Sequence, residues 1–181
     1  VTLKPVAPQA DADATSSDKS LELVRTLVGH TDSVASIDIS SDGRWAVSSS
    51  QDKTMRLWNL QTGECQHIFG ARIYAGHVDI SSDDRFVAVG SPDATLRIWS
   101  LETREVYRTL KAGNGGVRGL AFSPDGRFIL TVNDDGSVRY WDVEREKIVH
   151  SFTLDSEFNY YAGTQISSDG RLGLVRPNTE A

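Results

Sequence analysis

His30, Ser48 and Asp52 lie within one stretch of the chain and carry the side-chain types of a nucleophilic triad: a hydroxyl, a base to take its proton and a carboxylate to orient the base. Acyl transfer also needs a sharp turn that presents the nucleophile and donors for the oxyanion, and the sequence supplies neither. Cys65, His67 and His77 raise a second possibility, a bound metal. Structural zinc takes four ligands in close pairs, so these three are read as strand residues facing solvent or a neighbouring element. Gly113–Asn114–Gly115–Gly116 resembles a phosphate cradle, yet no helix follows to aim its N-terminal dipole at an anion. These sets therefore give no catalytic residue, no metal site and no cofactor.

The elements that hold these residues repeat. SSDGR ends at Arg44, SSDDR at Arg85, SPDGR at Arg127 and SSDGR at Arg171, with spacings of 41, 42 and 44 residues. Trp58, Trp99 and Trp141 follow the same rhythm, and Asp52, Asp93 and Asp135 each precede a tryptophan by six residues. Within a unit the apolar residues alternate over short runs split by turn residues, which is the signature of strands. In the first unit VASIDI, WAVSS, TMRLWNL and CQHIF read as four successive strands. Asp42–Gly43, Asp125–Gly126 and Asp169–Gly170 suit tight hairpins, because glycine tolerates positive φ. No part of the repeat carries a sustained helical period, so the expected class is all-β. A four-stranded unit of this size cannot bury both faces alone, and copies must stack.

Composition narrows the function classes. Of 181 residues, 39% are apolar and 24% charged, an ordinary globular balance, and no apolar run is long enough to span a bilayer. A net charge of −6, with arginines scattered or recurring at one repeat position, argues against nucleic acid as a partner. Cys65 stands alone, so no intrachain disulfide forms and the compartment stays open. Residues 1–20 are rich in Ala, Pro, Ser and Asp and read as a linker or arm that hints at something upstream.

Period, Gly29–His30 and Trp141–Asp142 together make residues 21–177 resemble the WD-repeat family, with Trp58–Asn59 and Trp99–Ser100 as degenerate marks. The resemblance implies β-propeller blades of four antiparallel strands in an incomplete ring. Blades are expected at 34–70, 74–111 and 117–154, a partial blade at 160–177, and an outer strand at 23–28. It also implies that His30, Ser48, Asp52 and Trp58 form a buried structural tetrad rather than a triad. Partial tetrads follow at Asp93 and Trp99, where Val89 replaces the hydroxyl, and at Thr131, Asp135 and Trp141, where Gly113 stands in the His position. The family's contact positions map to Ser33, Gln51, Tyr74, Arg118, Asp134 and Tyr160 on the loop rim. The inner strands offer few titratable groups (Asp38, His77, Asp79 and Arg118), with no repeated carboxylate or histidine ring to suggest a propeller enzyme.

The expected function is a non-catalytic scaffold for a protein or peptide partner, a fragment or module of a larger protein, with no membrane or nucleic-acid role. Self-association through exposed blade edges is expected of the isolated chain. The alternative is a regulatory or sensory propeller fused to an upstream kinase or protease.

Overall fold

A computed structural model describes residues 2–3, 24–69, 76–154, 161–167 and 173–177. Among these every regular element is a strand. Three sheets are four-stranded antiparallel meanders. The first runs β3 (Val34–Ile39), β4 (Trp45–Ser50), β5 (Met55–Asn59), β6 (Cys65–Phe69). The second runs β7 (Val78–Ile80), β8 (Phe86–Gly90), β9 (Thr95–Ser100), β10 (Val106–Lys111), and the third β11 (Val117–Phe122), β12 (Phe128–Asn133), β13 (Ser137–Asp142), β14 (Lys147–Thr153). β15 (Tyr161–Ile166) and β16 (Gly173–Pro177) form a two-stranded sheet, and β1 (Thr2–Leu3) pairs with β2 (Arg25–Thr26). No sheet closes on itself among the described residues, and the arrangement is that of a partial propeller. The expected Asp169–Gly170 turn lies outside the described residues.

The strands form where the alternation placed them, and their two apolar faces decide how the sheets stack. Val47, Met55, Leu57 and Phe69 of the first sheet share one cluster with Val78, Ile80, Val87 and Val89 of the second. Ala88, Leu96, Ile98 and Leu110 do the same with Val117, Leu120, Phe122 and Ile129 of the third. Burying each such side chain is worth about 1.5–3 kcal/mol relative to leaving it in water, so the stability of the fold resides in the seams between blades. The first strand of each sheet lies against that of the next: β3 on β7, β7 on β11, β11 on β15. These four strands form the inner wall.

One turn shows how a departure from the glycine pattern is absorbed. Asp84 stands where Gly43 and Gly126 stand in the neighbouring units, and takes φ +57°. Aspartate tolerates the left-handed region better than most residues. Here its carboxylate also accepts the Ser41 and Asp42 amides at 2.7 and 3.1 Å and the Ser41 hydroxyl at 2.8 Å. The turn that lost a glycine thus ties the first blade to the second.

Candidate functional site

β4 and β5 set Ser48 and Trp58 on one face, and the loop before β3 lowers His30 beside them. Ser48 Oγ accepts the Trp58 indole N–H at 2.8 Å and lies 2.7 Å from His30 Nε2. His30 Nδ1 lies 2.7 Å from Asp52 Oδ2, and the two ring nitrogens therefore bridge hydroxyl and carboxylate. Asp52 also accepts the Thr31 amide at 3.1 Å, the Thr54 amide at 2.9 Å and the Thr54 hydroxyl at 2.6 Å. Burial opposes ionisation of Asp52, but the bonds from Thr54, His30 and Thr31 outweigh it and hold the carboxyl well below its ordinary 3.8. Ser48 is 0% exposed. The hydroxyl that would act as nucleophile is enclosed and already engaged by two neighbours.

The other two units bring together less. In the second, Trp99 Nε1 is buried without a partner among the described residues, because Val89 offers no acceptor. In the third, Trp141 donates to Thr131 Oγ1 at 3.0 Å, while the Gly113 position holds no ring. Sequence reasoning missed what takes the histidine's place. Arg56, Arg97 and Arg139 occupy one repeat position, two residues before each tryptophan. Arg97 Nη2 donates to Asp93 at 3.0 Å and its Nη1 to Ser91 at 3.0 Å. Arg139 bonds the Ala112 carbonyl, lies 3.8 Å from Asp135, and fills the space where a Cβ on Gly113 would stand. Arg56, whose unit keeps its histidine, instead lies 5.9 Å from the Trp58 ring centroid. The signal was present in MRLWN, LRIWS and VRYWD as an arginine with the period of the repeat.

Of the rim positions, Ser33, Gln51, Arg118 and Asp134 are exposed, whereas Tyr74 and Tyr160 lie outside the described residues. The Gln51 amide donates to the Ser33 carbonyl at 2.9 Å. Arg118 and Asp134 are salt-bridged to each other. A bulge explains why Arg118 points outward: the β11–β12 register shifts between Val117 and Gly119, and the same shift occurs between Val34 and Ser36 and between Tyr161 and Gly163.

The inner wall corrects one expectation. Asp38 and Asp79 do share a repeat position, 41 residues apart, and each carboxylate accepts a backbone amide of the next blade, Asp38 from Ile80 and Asp79 from Phe122, both at 2.7 Å. Around the metal candidates, Cys65 Sγ donates to the His67 carbonyl at 3.4 Å and the His67 ring packs edge-on to Phe69 at 4.7 Å. Among the described residues no three His, Cys, Asp or Glu side chains converge as metal ligands. Gly115 and Gly116 are backed by Asp134, Asp135 and Pro92, which leaves no cradle for an anion.

Residues 21–59 match the family model described as WD domain, G-beta repeat, and residues 78–162 match that of the anaphase-promoting complex subunit 4 WD40 domain. The chain is a WD-repeat protein. Its WD-repeat relatives include the small ribosomal subunit protein RACK1 of Trypanosoma brucei brucei, 49% identical over 45 residues, covering 25% of this chain and 14% of the relative. U3 small nucleolar RNA-associated protein 21 of Saccharomyces cerevisiae is 49% identical over 43 residues, covering 24% of this chain and 5% of that protein. The chain thus spans a small part of the curated relatives it matches. In solved structures the WD-repeat fold of U3-55K superposes with a TM-score of 0.72 at 22% identity, covering 77% of this chain and 44% of the other. The crystal structure of the RRP9 WD40 repeats gives the same figures. One of these relatives is named as a ribosomal protein and another for association with a small nucleolar RNA, so their names lend no support to excluding ribonucleoprotein partners.

Proposed function

We propose that this WD-repeat chain is a non-catalytic protein-interaction scaffold, and that its first blade offers a partner, or a second copy, the face that a preceding blade would cover. The observation that carries this reading is a comparison within the repeat. Val78 and Ile80 are 1% and 8% exposed, and Leu120 and Phe122 are 0% and 7% exposed, because the preceding blade covers each pair. Ile37 and Ile39 hold the same repeat positions on β3 and are 38% and 46% exposed. An apolar face of this kind in water favours association with a surface shaped like a blade. The enclosed Ser48, spent on Trp58 and His30, supports the non-catalytic part of the reading. The rim formed by Ser33, Gln51, Arg118 and Asp134 is the second proposed contact surface, and it adds polar selectivity.

Sedimentation velocity across a concentration series tests the reading. The chain is expected to associate as concentration rises, and Ile37→Asp with Ile39→Asp is expected to abolish that association while the fold persists. A chain that stays monomeric throughout and captures no protein through Ile37 or Ile39 in site-specific photo-crosslinking would overturn it.

A further inference from the structure

The seams between blades carry hydrogen bonds as well as apolar cover. β3, β7, β11 and β15 each stand at the edge of their sheet, so alternate amides point off the ladder. Side chains of the preceding blade meet those amides. Ser36 Oγ accepts the Val78 amide at 3.2 Å, and Asp38 Oδ2 accepts the Ile80 amide at 2.7 Å. At the next seam Asp79 Oδ2 accepts the Phe122 amide at 2.7 Å. Ile37 and Ile39 hold the positions of Val78 and Ile80 without that cover. Both side chains are exposed, and the Ile39 amide falls back on Asp38 Oδ1 of its own strand at 2.8 Å.

The two short sheets are complementary halves of a blade. Leu27, just past β2, is buried with Ala46 and Trp58, which sets β1 and β2 over the outer part of the face that holds Ile37 and Ile39. The inner part of that face is bare. β15 and β16 are an inner pair, packed on β11 and β12, with no outer pair among the described residues. Gln165 stands at the position of Asp38 and Asp79 and is exposed. Leu174 lies opposite Gln165 in the ladder, as Val47 lies opposite Asp38. One end of the arc thus lacks an inner pair and the other an outer pair. The exposure of Ile37, Ile39 and Gln165 shows that the two ends do not meet within one copy.

We propose that a second copy of this chain fills the gap: β15 and β16 of one copy seat against β3 of the other, beside its β1 and β2, and Gln165 accepts the Ile39 amide. This rests on the reading of the Ile37 and Ile39 face as a contact surface, and commits that face to one occupant. A single side-chain link is what the Asp79 seam also uses. An uncharged acceptor suits the place, because the Asp38 carboxylate already lies on the same amide. The contact joins different faces of the two copies, so a pair of copies makes it twice and closes a ring. Six whole blades and two composite ones result, within the range of about four to eight that closes a propeller.

The test mixes chain in which a benzophenone-bearing residue replaces Ile37 with isotopically labelled wild-type chain. After irradiation, mass spectrometry is expected to find the crosslink on the labelled copy within residues 161–177. Sedimentation equilibrium of the wild type is expected to reach a limiting mass of two chains. Gln165→Ala, at an exposed position, is expected to weaken the dimer about fivefold with an unchanged melting temperature of the dilute chain. Crosslinks within one copy, crosslinks to the labelled copy's own Ile37 face, masses that grow past two chains, or an equal dissociation constant in Gln165→Ala would each overturn the trans seat. A crosslink between two Ile37 faces leaves the scaffold reading standing, whereas a wild-type chain that stays monomeric and captures nothing removes both. Wild-type sedimentation and Gln165→Ala decide the matter even if the substituted Ile37 chain fails to associate.

Discussion

Ser48, Thr131 and Val89 hold one repeat position, and the tryptophan ten residues after each meets a different neighbour. Trp58 and Trp141 donate to a hydroxyl at 2.8 and 3.0 Å, whereas the Trp99 indole nitrogen faces valine. An unmade buried hydrogen bond costs about 1–3 kcal/mol. Val89→Thr is therefore expected to keep or raise stability by up to about 1 kcal/mol, while Val87→Thr, buried with no such donor to serve, is expected to lose stability. Urea unfolding compares the two, and equal losses would refute the assignment. Asp52 yields a second residue-level expectation. Its carboxyl is held below its ordinary 3.8, so its contribution is present above that value and lost as pH falls below it. Asp52→Ala is expected to cost about 1–3 kcal/mol near neutrality. Asp52→Asn is expected to show a shallower fall in melting temperature below about pH 4 than wild type. Thermal unfolding across that range checks both.

At the scale of the strand and its turns, the recurring arginine is where reading and structure part. Arg139 joins the Ala112 carbonyl to the Asp135 side, whereas in the first unit His30 joins the Asp52 carboxylate to the Ser48 hydroxyl. Arg139→Ala is expected to destabilise by about 1–3 kcal/mol by leaving the Ala112 carbonyl without its donor, while Asp135 keeps the Ser137 amide and hydroxyl, and Arg56→Ala by less, since His30 already holds Asp52. Chemical denaturation of the pair of variants decides it. The strands themselves were legible because period-2 alternation and Asp-Gly turns are local: VASIDI, CQHIF and their counterparts fall where the pattern puts them. The hydroxyl–indole bonds were legible through spacing and family resemblance. The arginine's partner, the Arg118–Asp134 pair and the reach of Asp38 and Asp79 to the next blade's backbone were not. Alternation tells which face a side chain takes, but not how far a long side chain reaches or which strand stands opposite. Those depend on bulges and on the stacking of sheets. Arg118 illustrates the first, turned to the rim by the register shift between Val117 and Gly119.

For the whole molecule, the repeat carries one consequence beyond any single blade: each seam is built from the trailing face of one sheet and the leading face of the next. The two interior seams contain Val87, Val89, Leu96, Ile98 and Leu120, all fully buried. Leu120→Ala is expected to cost about 2–5 kcal/mol, because the space between two rigid sheets cannot collapse. The leading face of β3 has the same make-up without the same cover. Phe152, on the outer strand of the third blade, repeats the contrast at the other end: it is exposed, whereas Phe69 and Leu110 at its position are buried. Thiol labelling measures this asymmetry directly. With Cys65→Ser as background, single cysteines replace Ile37, Val78 and Leu120, and reaction rates are taken at dilute concentration. Fast labelling is expected at 37 and strong protection at 78 and 120. Equal rates at all three positions would refute the stacking of blade on blade.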